Sequence, residues 1–412
     1  MLDIRKNVDL TDRNTFGMRV KAACVVEYDS ICDLETIRGM LSPDADMSGP
    51  VPGSDAPRAQ ERPDRKLPAP VLHIGGGSNL LFTKDFPGTL LHSRIKFIRA
   101  AEAIGNDMDD SAASQGSDFP GHRDIMVEVG AGTTFDDFCR WAAEKGLWGV
   151  ENLSHIPGET GAAAVQNIGA YGVEIKDVID KVNCYDMVLG REVSFKASEC
   201  GYGYRDSLFK RDRKGRYIVT SVTFRLSAEP RPVLGYGHIR SAVESALRER
   251  GAQAGSAQAG SVIPDGREAG NAFPGLTPAV VKDVITGIRK EKLPEPAELG
   301  SAGSFFKNPV VPKSDYDRVA SIAALYLGAG CEVPHFDMGS GFVKIPAAWL
   351  IEQCGWKGYR EGNVGVYDRQ PLVIINATGK AAPDEVISLE EKIVSSVRDR
   401  FGITLAPEVE HI

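Results

Sequence analysis

The chain has 412 residues, 42% hydrophobic and 25% charged, with a formal charge of −8. That length exceeds one ordinary hydrophobic core, so two or three domains are expected, and the composition is that of a globular protein, neither disordered nor fibrous. The acidic balance argues against a nucleic-acid surface, no apolar run is long enough to span a bilayer, and seven scattered cysteines without a CxxC pair favour buried thiols over a disulfide frame or a zinc site.

MLDIRKNVDL lacks the apolar core of a signal peptide, and the unpaired cysteines fit a reducing cytoplasm, so a cytoplasmic protein is expected. Asn14 to Tyr28 runs from a polar turn into a β-rich segment. Leu41 to Pro70 then changes composition to Pro, Asp, Ser, Gly and Arg, with too little apolar surface to offset its ordering entropy. Ala101 to Arg123 and Gly251 to Gly270 read alike, so three disordered surface insertions are expected.

An apolar strand, Val71 to Ile74, runs into Gly75-Gly76-Gly77-Ser78-Asn79, whose backbone N–H groups are suited to a pyrophosphate. It is not the Rossmann GxGxxG fingerprint, because no helix follows and no acidic residue lies at the required distance; a plain glycine turn is the competing reading. Ile125 to Val129 reads as a strand ending in a second glycine turn, Gly130 to Thr133. Thr134 is placed to cap a helix with Phe135, Phe138 and Trp141 on one side, ending at Gly146.

Asn152 to Gly172, NLSHIPGETGAAAVQNIGAYG, has no helical or strand period. Its Gly and Ala residues permit close approach of the backbone to a large flat or phosphorylated group, with Gln166 and Asn167 offering amides there. Packing of a glycine-rich loop between domains is the alternative. Ile218 to Leu226 alternates as a half-buried strand, and Pro232 to Gly237 is a loop holding a tyrosine between glycines. GSAGSFFKNP, from Gly300, sets Ser304 on a glycine-flanked backbone but is not the hydrolase elbow GxSxG. Beyond it, Ser314 is placed to cap a helix through Leu327, and Pro346 opens another stopping at Gly355. Leu372 to Ile375 reads as a strand, and Val386, Leu389, Ile393 and Val397 mark one face of a helix closed by Gly402. Leu405 to Glu410 reads as a final strand.

GGGSNLL, IPGETGAAAVQNIGAYGVE, GYRDS, KLPEP with GSAGSFFKNP, and APEVE occur in this order. Together they resemble the UDP-N-acetylenolpyruvoylglucosamine reductase (UDP-N-acetylmuramate dehydrogenase) family, and PVLGYG resembles its type I branch. The resemblance implies an α+β protein with a two-part FAD-binding region of the vanillyl-alcohol-oxidase type and a C-terminal α+β substrate-binding domain. The expected division is 1–94 and 95–293 for the FAD-binding parts, 294–402 for substrate, and 403–412 as a strand returning to the active site.

It further implies non-covalent FAD, NADPH as hydride donor and UDP-N-acetylglucosamine enolpyruvate as substrate, with a monomeric protein, no nucleic acid or membrane partner and no metal. Gly75, Gly76, Gly77, Ser78, Asn79, Gly130, Gly132, Thr133, Ile156, Pro157, Gly158, Gly161, Ala162, Gln166, Asn167, Gly169, Ala170 and Tyr171 would line FAD. Arg205, Ser304 and Glu408 match the catalytic residues. Tyr204, Tyr236, Lys292 and Asn308 match substrate-holding ones. Ser301 departs from the Asn of some relatives, while Gly300, Ala302 and Gly303 are retained. A flavin oxidase acting on a small alcohol, and a binding protein without turnover, are the competing readings. No His lies in the glycine turns for a covalent flavin, and all three catalytic matches are present.

Overall fold

A computed structural model describes residues 2–41, 66–101, 124–211, 213–253, 274–328 and 330–412. The expected insertions fall mostly outside the described residues, at 42–65, 102–123 and 254–270. Their expected edges need correction. Leu67 is buried in a core cluster with Tyr28, Tyr185 and Ile218, and its N–H bonds to the Met40 carbonyl at 3.1 Å. Gly251 to Gln253 complete the helix Ile239–Gln253.

The described chain forms two compact units, Met1–Arg5 with Cys24–Gly75 and Pro87–Arg289, and Lys6–Ala23 with Gly76–Phe86 and Lys290–Ile412. This differs from the four-part division expected from sequence: residues 24–75 and 87–289 form one unit, and two short early segments belong with the C-terminal residues.

The first unit is built on a five-stranded antiparallel sheet in the order Arg191–Lys196, Ile179–Asp186, Tyr217–Ser227, Asp124–Gly130, Ile98–Ala100. Tyr217–Ser227 lies in the middle, and Ser221 and Thr223 are buried along with Val222 and Phe224. The alternation therefore misleads: a central strand covered on both faces hides its small polar residues too. The helix Phe135–Glu144 sets Phe138 against Phe224 with ring centroids 4.6 Å apart, and Gly146 follows it at φ +71°. Thr134 occupies the N-cap position, but no side-chain cap bond forms. A second, four-stranded sheet runs in the order Asp3–Asp9, Lys21–Tyr28, Phe86–Ser93, Val71–Ile74, with the last pair parallel.

In the second unit Gly300–Ser301, Ile374–Asn376, Val364–Val366 and Arg360–Glu361 form an antiparallel sheet. The helix Pro383–Phe401 buries Val386, Leu389, Ile393 and Val397, as the spacing predicts, and ends at Gly402 with φ +69°. The helix expected to begin at Ser314 begins at Lys313 after Pro312, without a side-chain cap. The strand expected at 372–375 lies at Ile374–Asn376. The terminal strand shrinks to Glu410–His411, paired in parallel with Leu80–Leu81.

Inside the first unit Arg216 grips the buried Asp186 at 2.8 Å, and Asp186 also accepts from the Val188 and Leu189 N–H groups. Burial pulls its carboxyl pKa upward, but the Arg216 and backbone bonds outweigh that and hold it below the usual range. The stabilisation is therefore full above the unfolded carboxylate range and disappears as pH falls through the lowered folded value. Asp186→Asn is expected to cost about 3 kcal/mol at neutral pH, because it leaves Arg216 without its charge partner. Urea unfolding at pH 7 and in acid checks this; the gap between variant and wild type should close in acid.

Candidate active site

The glycine turns of the first unit pack against protein. A Cβ at Gly130 would stand 2.4 Å from the Ile95 carbonyl oxygen, one at Gly132 2.4 Å from that of Ser93, and one at Gly161 2.9 Å from the Ala131 Cβ. Gly75 approaches Ala162 in the same way, at 3.0 Å. The smallness read from sequence thus serves first to nest these turns together. Thr133 is buried, and its hydroxyl bonds the Phe97 N–H and carbonyl at 3.2 and 3.3 Å.

Thr160 to Gln166, read from sequence as loop, is a short helix. Three alanines favour it, and Gly161 allows its first turn to lie on Ala131, whose carbonyl accepts the Gly161 N–H at 2.9 Å. Asn167 ends it in the left-handed conformation at φ +47°. The Asn167 amide donates to the Gly203 carbonyl at 2.8 Å and accepts from the Lys176 N–H at 3.2 Å. It therefore fixes the turn Gly203–Asp206, closed by reciprocal backbone bonds of 3.0 and 3.1 Å, at whose tip stand Tyr204 and Arg205. Ser207, fully buried, anchors the far side of that turn by donating to the Val165 carbonyl at 2.6 Å.

Arg205 itself is left-handed at φ +55°, and its guanidinium donates to the Gly169 carbonyl at 2.6 Å. His155 and Tyr171 also take positive φ, 59° and 50°. With Asn167 and Arg205 they make four of the six such non-glycine residues in the described chain, a concentration of backbone strain typical of functional regions. Ile156, Pro157 and Gly158 lead into the short helix, and Gly158 accepts the Phe135 N–H at 3.0 Å. Gly169 and Ala170 pair with Glu174 and Val173. Tyr236 is 43% exposed, and its ring stands edge-on to Tyr171 at 6.0 Å.

Sequence reasoning passed over three residues here. Arg289 donates to the His155 carbonyl at 3.0 Å and hydrogen-bonds Tyr171; burial lowers its pKa, with the charge of Arg205 adding to the effect. Its position in the basic IRKEK stretch was the available signal. Asn152 is buried, its amide donates to the Tyr171 and Val233 carbonyls, and its oxygen has no partner among the described residues. Glu151 is buried, and desolvation pushes its pKa up to about 7.

In the second unit Gly77 takes φ +66°, and a Cβ there would lie 2.1 Å from the Arg13 carbonyl oxygen. Asn79 donates to the Glu408 carbonyl at 3.0 Å and accepts the Glu410 N–H at 3.0 Å, so it holds the C-terminal strand. Glu408 in turn donates its N–H to the Phe305 carbonyl at 2.8 Å, beside the bridge of Phe306 with Pro407. One short ladder thus carries Ser304 and Glu408 as near neighbours. Ser304 follows Gly303 at φ +70° and precedes two buried phenylalanines whose rings pack 5.2 Å apart. Asn308 accepts the Ala347 N–H at 2.9 Å, at the start of the helix Ala347–Gln353. Lys292 is exposed at the end of the helix Pro278–Lys292.

The first unit fits an anionic dinucleotide. Arg205 and Arg289 supply positive charge, and the buried Asn152 oxygen is left to accept from a ligand hydroxyl or N–H. A sequence profile described as FAD binding domain matches residues 65–195, so this part of the chain is a FAD-binding fold of the vanillyl-alcohol-oxidase type. A second profile, UDP-N-acetylenolpyruvoylglucosamine reductase, C-terminal domain, matches residues 295–412, the α+β unit.

Curated proteins named UDP-N-acetylenolpyruvoylglucosamine reductase are similar over nearly the whole chain. That of Bacteroides fragilis (strain YCH46) is 40% identical, covering 99% of this chain and all of that protein. That of Chromobacterium violaceum is 38% identical, covering 99% and 98%. The crystal structure of the Thermus caldophilus protein of the same name superposes with a TM-score of 0.56 at 20% identity, covering 100% of this chain and 99% of that one, and speaks for the fold. The chain belongs to the UDP-N-acetylenolpyruvoylglucosamine reductase family.

Asn167→Ala is expected to leave the Gly203 carbonyl and the Lys176 N–H unpaired and to place alanine at a left-handed position. The cost is about 2–4 kcal/mol. Thermal unfolding of the variant measures it, and unchanged stability would show that the Arg205 turn is held by other bonds.

Proposed function

We propose that Arg205, Ser304 and Glu408 carry the reaction of this enzyme, the NADPH-dependent reduction of UDP-N-acetylglucosamine enolpyruvate to UDP-N-acetylmuramate. The reaction and its cofactors, FAD and NADPH, follow from family membership; the roles of single residues are our reading. The observation that carries it is the ladder that ties Glu408 to Phe305, next to Ser304, with Arg205 held separately by the Gly169 carbonyl.

Bound FAD supplies the hydride relay, from NADPH to the terminal carbon of the enolpyruvyl ether. Negative charge then develops at the adjacent carbon and spreads into the substrate carboxylate. The Arg205 guanidinium, held by a backbone carbonyl, is the fixed cation for that charge. Ser304 donates its hydroxyl proton to the carbanionic carbon, which completes the lactyl ether. Glu408 assists from its backbone-fixed position. Tyr204, Tyr236, Lys292 and Asn308 hold the nucleotide sugar, with Lys292 on the diphosphate.

The glycine turns and the Ile156 to Tyr171 segment line non-covalent FAD. Within that set Thr133 and Asn167 have hydroxyl and amide bonds to protein, so they shape the cradle. Asn79 is likewise bonded through its side chain to Glu408. Residues 294–402 serve the substrate, with 403–412 completing the catalytic set. No helix among the described residues is long and apolar enough to cross a membrane. We assign the enzyme to the cytoplasm as a monomer without nucleic-acid or membrane partners.

Ser304→Ala tests the central role. NADPH should reduce its flavin at close to the wild-type rate, because that step needs no proton from Ser304. Reoxidation by the enolpyruvyl sugar should slow by roughly 10²–10⁴-fold, the range for loss of a positioned general acid. Stopped-flow flavin absorbance follows the two phases separately, and equal slowing of both, or of neither, removes Ser304 from the catalytic set. Lys292→Ala should raise KM for the nucleotide sugar by about tenfold through loss of a charge-assisted phosphate contact, with FAD content unchanged. Steady-state kinetics with varied sugar substrate decide it.

A further inference from the structure

The first unit contains a cluster of charged groups that the reaction does not use. His92, on the strand Phe86–Ser93, lies between two carboxylates: its Nε2 is 2.8 Å from Glu159 and its Nδ1 is 3.4 Å from Glu27. Arg5 and Arg94 both approach Glu27, at 2.5 and 3.6 Å. His73, on the neighbouring parallel strand, pairs in register with Leu91 and bonds the Tyr28 hydroxyl at 2.7 Å. Burial and the nearby His92 push the His73 pKa down to about 4, so it stays neutral at ordinary pH.

Both carboxylates pair with His92, but Glu27 also has Arg5 and Arg94, whereas Glu159 has no arginine ion pair among the described residues. It is also the single acidic residue in the segment Asn152 to Gly172. Its carboxylate reaches the first glycine turn, where a Cβ at Gly75 would lie 3.4 Å from its Oε2. A bare carboxylate there would repel the phosphates of a dinucleotide. The side chains are mostly buried, at 18% exposure for His92, 11% for Glu27 and 12% for Glu159, so solvent screens the interaction little.

We propose that His92 is a cofactor-positioning residue: by holding a proton against Glu159 it cancels the negative charge that Glu159 brings to the Gly75 turn, and so makes FAD retention depend on pH. This rests on FAD lying along Gly75 and the Gly158 to Ala162 segment, as proposed above. Burial opposes protonation of His92, but its bonds to Glu159 and Glu27 outweigh burial and raise its pKa above the ordinary value. The imidazolium therefore persists to higher pH than that of a free histidine, and its loss as pH rises further exposes Glu159 to the cofactor. The pyrophosphate keeps its charge throughout, so the dependence belongs to the protein.

Full-length deflavinated protein titrated with FAD from pH 6 to 9, followed by flavin fluorescence, tests this. Wild type should bind tightly at low pH and about tenfold more weakly once His92 has lost its proton, the effect of one charge interaction of ~1.4 kcal/mol. His92→Gln should show the weaker affinity at every pH. Glu159→Gln should bind tightly at every pH, and the double variant should behave like Glu159→Gln. A flat wild-type profile, weakened binding in Glu159→Gln, or a His92→Gln profile identical to wild type would overturn the proposal. If His92→Gln does not fold, the Glu159→Gln profile decides alone. Wild type that binds no FAD at any pH would overturn the flavin cradle itself, an outcome distinct from a flat profile with tight binding.

Discussion

Backbone-to-backbone closeness at the glycine turns is the constraint on which the first unit depends. Carbonyl oxygens of Ile95 and Ser93 stand where Cβ atoms of residues 130 and 132 would be, and Ala131 occupies the space that a side chain at 161 would need. Such approach is available only to glycine, whatever ligand is later bound. It draws the helix Thr160–Gln166 onto the sheet, and the end of that helix sets everything downstream: Asn167 turns left-handed, its amide seizes Gly203, and the Arg205 turn follows. A positioned cation thus traces back, bond by bond, to a glycine packed against an alanine.

The second unit shows a different logic, because its pieces are far apart in sequence. The Thr15 carbonyl accepts the Ser301 N–H at 2.9 Å, and the Thr15 N–H reaches the Gly77 carbonyl at 3.2 Å. Asn376 donates to the Phe16 carbonyl, across 360 positions of chain. Each contact closes a long loop, whose entropy cost grows only slowly with length, so residues from both ends of the chain can share one core. No local pattern announces such pairings. The early segments 6–23 and 76–86 are accordingly grouped with the C-terminal residues in one compact unit.

What was legible in the sequence follows from where the physics is local. The helix Pro383–Phe401 was readable because its apolar spacing and terminal glycine are both contained within it. The strands Val71–Ile74 and Asp124–Gly130 were readable because each runs into glycines. Tyr217–Ser227 was readable as a strand but not as a central one, since burial on both faces depends on what the neighbouring strands bring. The helix at 160–166 escaped because every residue that decides it is small, and smallness carries no period. Function was readable through the order of five motifs, while single residues within those motifs turned out to have structural duties too. Asn167 and Asn79, and Thr133 in the second glycine turn outside those motifs, carry polar groups suited to a ligand, yet each makes side-chain bonds to protein.

That double duty has a physical origin. A cradle for an anionic cofactor must keep many main-chain donors turned outward, and the loops that do so cannot satisfy themselves by regular secondary structure. Short polar side chains then take over the work of ladder bonds, which fixes the loops without adding bulk. Glutamate is the awkward member of such a set, because it brings charge of the cofactor's own sign. Glu159 meets this with a buried imidazole, and Glu27 meets it with two arginines on the other side of the same imidazole. The charges at 27, 92 and 159 must therefore be considered as one group. Replacing any one of them changes the electrostatic environment of the other two, and with it the field at the Gly75 turn.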